Sequence, residues 1–400
     1  MFSWLSAAST NIGGRQRQED EVVAVPDLNL HVPETAELDR AITRSYFAVF
    51  DGHGGPAASS FLAKTFHVAL AKNPLLRSDP KAALLDVWKS MDSEIYNILA
   101  KRHRENTARA NNNTSGNGTG GTGTEEVPFP RDGSTATVLL LVGNKLFAAN
   151  CGDSSGILVK KDGSVRTITK NHDTLDRDEF ERIGQLGGFY RKQMLRMPRR
   201  WPWCCLVEEV VVGKPRVYPG GLLVTRAFGD FSAKLVELGG TPGVILPDCE
   251  EVLEMTIEED WSEVVIASDG VWDVVHTEEM PLLLARLEGK GAAAAALQFS
   301  AMNGNHINGI NNTNGSVSAP GATVSDADIL RLRQAQLNGT CAKLILACVR
   351  HRYWEMNQSA ADNASAVILR FHPLRSLERS SKESSEGSGE GGGARAQQTV

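Results

Sequence analysis

Cysteine pairing motifs are missing from this chain: its six cysteines in 400 residues include no C-x-x-C pair. That leaves neither a disulfide framework nor a zinc site, and reduced core cysteines are the expectation. No apolar run is long enough to span a bilayer. Excess basic charge is absent too. The formal net charge of -6 provides no positive field to draw the protein onto nucleic acid. The first residues, MFSWLSAAST, lack a basic segment and are too short for a secretory signal, and Phe2 excludes N-myristoylation. A soluble, monomeric, cytoplasmic protein is expected, with the nucleus also open. Walker spacing, EF-hand spacing and a Cys-x5-Arg segment are likewise missing.

The composition is that of an ordinary globular protein, 41% hydrophobic and 22% charged. Three tracts carry too little apolar surface to offset chain entropy: 107–126, 300–322 and 380–398. The first two read as insertions within one domain of residues 1–375, and the chain from 376 to 400 as a disordered tail. Short apolar runs predict strands at 21–25, 46–50, 135–142, 145–150, 156–161, 221–225, 263–268 and 364–371. Helical spacing covers 79–103 behind a capping Asp79, and 327–353 with a break near Gly339. Strands cluster around hairpins and helices lie apart, which predicts α+β with antiparallel sheets.

The acids sit at strand ends. Asp51, Asp153 and Asp269 each follow a predicted strand, whereas Glu19, Asp20 and Asp362 precede one. Antiparallel pairing puts one strand's exit beside its neighbour's start, so these carboxylates can gather at one rim. Converging carboxylates need a cation, and an oxygen-only donor set suits Mg²⁺ or Mn²⁺. Gly52 lets its backbone carbonyl approach such an ion closely.

The stretches GGRQRQED, VFDGHGG, DGSTATVLL, ANCGDSS, VTRAFGDF, IASDGVWDVV and ADNASAVI follow one another along residues 13–368. In this order they resemble the motifs of the metal-dependent Ser/Thr protein phosphatases, the PPM or type 2C family. The resemblance implies a four-layer αββα sandwich, two antiparallel sheets flanked by helices. It also implies hydrolysis of phosphoserine and phosphothreonine in proteins by a water or hydroxide shared between two Mg²⁺ or Mn²⁺ ions.

By the same resemblance Asp51 bridges the ions, the Gly52 carbonyl binds one, and Asp269 and Asp362 hold the other. Glu19 and Asp20 orient waters. Asp153 and Asp273 match a weaker third metal site. Arg15 takes the phosphate-binding position, and Arg17 has no assigned role. His53 is the expected general acid, because a serine or threonine alkoxide leaves poorly without a proton. A purely structural imidazole is the alternative.

The chain departs from the pattern in three places. Ser155 stands where an arginine is usual, and His172-Asp173-Thr174 where His-Lys-Pro is usual. Both put third-metal affinity and regulation in question. The third is an insertion, 189–221, ahead of VTRAFGD. It carries Arg191, Lys192, Arg196, Arg199 and Arg200 beside Trp201 and Trp203, and reads either as a docking surface for acidic phosphoproteins or as a solvated insertion.

Overall fold

Near-continuous apolar runs such as YFAVF mark strands covered on both faces, because neither face is free to turn polar. The computed structural model, which describes residues 2–33, 41–114, 127–192, 194–198, 207–211, 214–289, 326–354 and 361–373, arranges ten strands in two five-stranded sheets, with strands of this kind at their centres. They are β1 (Phe2–Asn11), β2 (Glu21–Val25), β3 (Arg44–Phe50), β4 (Ala136–Val142) and β5 (Lys145–Cys151), then β6 (Ser155–Lys160), β7 (Val165–Thr167), β8 (Val252–Thr256), β9 (Trp261–Ala267) and β10 (Ala364–Pro373). The longer helices are α1 (Ala57–Lys72), α2 (Pro80–Thr114), α3 (Arg177–Gln185), α4 (Met280–Leu287) and α5 (Asp326–Trp354). One sheet runs β1-β10-β9-β6-β7 and the other β8-β5-β4-β3-β2, with all neighbours antiparallel.

Successive residues of one strand enter different cores. Phe47 and Val49 of β3 face inward and pack with Leu139, Val264, Ile266 and Val367 between the sheets. Tyr46, Ala48 and Phe50 face outward, against Leu62 and Phe66 of α1 and Trp88 of α2. Across the molecule Val265 and Ile368 meet Leu284 of α4 and Leu337 and Leu344 of α5. The layers are therefore helix, sheet, sheet, helix, as expected. Each large side chain buried this way contributes about 1.5–3 kcal/mol.

Four details differ from the sequence reading. The run 221–225 is no strand: it makes only the isolated bridges Val217↔Leu222 and Asp173↔Val224, and its Leu222, Leu223 and Val224 line the cavity at the acids instead of joining a sheet. Helix α5 is not broken at Gly339; Leu337, Cys341, Leu344 and Ile345 bury on one side and hold it through that position. Helix α2 extends to Thr114, into the first low-complexity tract, while 115–126, 300–322 and the tail lie outside the described residues. The N-terminal residues form β1, an edge strand paired with β10 over its whole length.

Candidate metal centre and active site

Topology brings the acids together. The register pairs Glu21 of β2 with Phe50 of β3, so Asp20 and Asp51 stand side by side at that end of the sheet. β3 and β5 both run antiparallel to β4, so Asp51 and Asp153 leave the same edge. In the facing sheet β9 ends at Ala267 next to the start of β10, which places Asp269 near Asp362. Carboxylate oxygens of Asp51, Asp153 and Asp269 approach within 4.8 Å of one another. Asp153, assigned to a weaker third site by resemblance, thus stands inside this triad.

Two glycines allow the close approach. A Cβ on Gly52 would sit 2.3 Å from the Glu19 carbonyl oxygen, and one on Gly270 would sit 2.0 Å from that of Asn363. Neither position accepts a side chain without moving backbone. Asp20 is buried, and its Oδ2 accepts a hydrogen bond from Ser268 Oγ at 2.9 Å, tying β2 to the β9 exit. The Glu19 N–H donates to Asn363 Oδ1 at 2.8 Å.

Burial, and then mutual repulsion, drives the carboxyls upward. Asp51 and Asp269 are pushed well above the usual carboxylate range, each by burial and by the neighbouring aspartates. Burial raises Asp20 and Asp153 to about 6. Partial burial also raises Glu19. Such a cluster is stable as anions only with a cation among them. The donors are all oxygens, a set that suits a hard divalent cation.

The proposed phosphate and proton groups border the same cavity of about 460 Å³, with the acids at its base. Arg15 Nη2 lies 2.7 Å from Asp362 Oδ2, and the arginine side chain is half-exposed. His53 Nε2 is 2.8 Å from Asp230 Oδ2. Burial pulls the imidazole pKa down, but the Asp230 carboxylate outweighs it and the net shift is upward. Asp230 escaped the sequence reading, although it lies in the quoted stretch VTRAFGDF. Its backbone is left-handed, at φ 52°, and its loop is anchored by Phe228 against Trp88 at 5.4 Å between ring centroids. Arg216, Leu222 and Val224 also line the cavity and were not singled out either.

The other named residues are not members of the triad, although the Asp273 charge is felt at both Asp153 and Asp269. Asp273 pairs with Arg352 of α5. Arg191 and Lys192 are exposed, and the Arg191 guanidinium lies 5.6 Å over the Tyr218 ring. Arg196 occupies the short strand Met194–Pro198, opposite Glu209. Arg199, Arg200, Trp201 and Trp203 lie outside the described residues.

A sandwich of this kind with an acid cluster at one end defines a class, and the comparisons agree. The family profile "Protein phosphatase 2C" matches residues 5–296, and the chain belongs to that family. "Probable protein phosphatase 2C 59" of Oryza sativa subsp. japonica is 30% identical over 268 residues, 66% of this chain and 64% of that protein. "Probable protein phosphatase 2C 45" of the same organism is 33% identical over 235 residues, 58% of this chain and 62% of that protein. The chain thus covers less than two thirds of the length of these curated relatives. The solved serine-threonine phosphatase 2C of Toxoplasma gondii superposes with a TM-score of 0.55 at 19% identity, covering 92% of this chain and 94% of that one. A sex-determining protein of C. elegans gives 0.54 at 20% identity, over 94% of this chain and 66% of that one. These two likenesses concern the fold.

Proposed function

We propose that the protein hydrolyses phosphoserine and phosphothreonine esters in proteins, using two Mg²⁺ or Mn²⁺ ions. The observation that carries this reading is the convergence of Asp51, Asp153 and Asp269 within 4.8 Å at the base of a cavity that Arg15 and His53 border. The residues that would hold the ions are Asp51, the Gly52 carbonyl, Asp269 and Asp362. Divalent ions bound there would lower the pKa of water toward neutrality and offset phosphoryl charge.

The chain's own groups do the rest. Arg15, steadied by Asp362, presents its remaining guanidinium N–H groups to phosphoryl oxygens. His53 donates a proton to the departing serine or threonine oxygen. With Nε2 held by Asp230, the transferable proton is the one on Nδ1. Asp20 is fixed by Ser268 and, with Glu19, orients water. Arg191 and Lys192 offer acidic phosphoproteins a cationic contact beside the site. No helix among the described residues is long and apolar enough to cross a membrane, and the reading places the activity on phosphoproteins of the cytoplasm or nucleus.

Turnover of phosphothreonine peptides compared with nucleotides and sugar phosphates, all with Mn²⁺, tests the substrate class. Preference for the peptides is expected. Equal or better turnover of the small phosphoesters would replace a protein phosphatase by a general metallophosphoesterase.

A further inference from the structure

Helix α2 carries Trp88, Asp92 and Tyr96 at intervals of four residues, so the three side chains lie along one face. All three meet the loop that carries Asp230. The Trp88 ring is 5.4 Å from Phe228 and the Tyr96 ring 5.1 Å from Phe231, centroid to centroid. Between them Asp92 Oδ1 accepts from the Gly229 N–H at 2.7 Å and from Lys234 Nζ at 3.0 Å. Its Oδ2 accepts from the same Nζ at 3.0 Å, and that nitrogen also donates to the Ala227 carbonyl at 2.9 Å. The lysine side chain is 8% exposed and the aspartate 16%, so two opposite charges are held inside the fold. Replacing such a pair by apolar side chains often costs no stability, so stability alone does not account for it.

The gripped loop leads to His53. Three short strands, Phe228–Gly229, Gly133–Ser134 and Gly52–His53, pair side by side, and Gly229 and His53 both stand against Gly133. A Cβ on Gly133 would sit 2.2 Å from Asp230 Oδ2 and 2.4 Å from His53 Nε2, so these side chains close over a bare glycine. Asp230 keeps a left-handed backbone at φ 52° and donates its N–H to the Asp132 carbonyl at 3.2 Å. A residue with a side chain keeps such a backbone only where its surroundings hold it. The Phe228–Trp88 contact brings the loop to the helix, and the Asp92 carboxylate then fixes the buried Gly229 N–H, one residue before Asp230.

We infer that Asp92, paired with Lys234, is a positioning residue for the Asp230–His53 contact, and so for proton donation to the departing alkoxide. The inference rests on the general-acid reading of His53 given above. Without an acceptor on α2 the Gly229 N–H is buried and unpartnered, and its peptide turns to find another. Asp230 then gives up its left-handed backbone, and its carboxylate moves off Nε2. Asp92 does not line the cavity and acts through Asp230.

The test compares kcat of the full chain, with saturating Mn²⁺, on a phosphothreonine peptide and on p-nitrophenyl phosphate. Asp92→Leu together with Lys234→Met removes the acceptor and both charges, so that no charge is left stranded. This double variant should lose about 10–100-fold on the peptide, the scale of a misplaced catalytic group, and much less on p-nitrophenyl phosphate. Asp92→Asn keeps an oxygen for the Gly229 N–H and should retain most of the peptide activity. A pair with a merely structural role would lower both substrates alike or neither, and either result overturns the inference. So does an Asp92→Asn that loses as much on the peptide as the double variant. If the double variant fails to fold by circular dichroism, Asp92→Ser, whose hydroxyl is too short to hold both partners, decides by the same ratio. His53→Ala separates the two readings. If it shows the selective loss and the Asp92 variants do not, this inference alone falls. If it shows none, the general-acid reading falls and takes the inference with it.

Discussion

His53 ties proton donation to a single partner, Asp230, and that pairing has a measurable signature. Removing the imidazole should cost little with p-nitrophenyl phosphate, whose leaving group needs no proton, and about 10²–10⁴-fold in kcat with a phosphothreonine peptide. Comparing kcat of His53→Ala on the two substrates checks this, and equal losses would show the ring to be structural. Asp230→Asn should reproduce part of that selective loss, because the amide no longer holds Nε2 as a carboxylate does. At this scale the sequence was partly legible. Asp51 and Asp269 could be picked out because each follows an apolar strand and precedes a glycine, and Glu19 and Asp362 because each stands just before a strand. Asp230 could not, because its role depends on a loop that only the Phe228–Trp88 contact brings across to His53, 177 residues away in sequence.

Helix α5 shows the limit of reading breakers locally. Gly339 stands where a Cβ would meet nothing within 4 Å, so the position is open and the helix is held from its other side. Gly339→Ala should therefore stabilise the fold by about 0.5–1 kcal/mol, read from a urea midpoint at unchanged m-value. A decrease would mean the glycine is needed for packing. Helix α3 carries a different load. Its buried Glu179 accepts from Arg226 Nη2 at 2.6 Å and Arg182 Nη2 at 2.8 Å, and these bonds, outweighing burial, hold its carboxyl down to about 2. Nearby His172 is pulled down to about 4 by burial and then by the Arg226 charge. The unfolded imidazole titrates near 6.5, so protons favour the unfolded chain between that pH and about 4. Stability from His172 is thus fully present above 6.5 and lost as pH falls toward 4, by up to about 3 kcal/mol. Urea midpoints at pH 7 and pH 4.5 should fall less for His172→Asn than for the unaltered chain, and parallel falls would contradict the assignment. Neither α3 nor β8 could be read from the sequence. The first is short and mostly polar, and VLEMT has too few apolar residues to stand out from a loop.

Across the whole molecule, the two sheets act as a scaffold that holds like charges closer than they would settle alone. The cores on either side fix β3, β5, β9 and β10 with their acid-bearing ends at one rim, and the stability of the packing offsets the repulsion there. The fold class was legible because both-face burial writes continuous apolar runs into the strands. The segment at the site was not, since GLLVT has strand composition yet lines the cavity through Leu222, Leu223 and Val224. The central claim is that turnover depends on cations held by Asp51 and its neighbours. It is tested most directly by phosphate release from a phosphothreonine peptide, measured for the unaltered chain and for Asp51→Ala, in EDTA and then with excess Mn²⁺. The account expects no turnover in EDTA, full recovery of the unaltered chain with Mn²⁺, and less than about 1% recovery for Asp51→Ala, in keeping with the several kcal/mol that metal-ion catalysis supplies. Undiminished turnover in EDTA, or full recovery of Asp51→Ala, would contradict it.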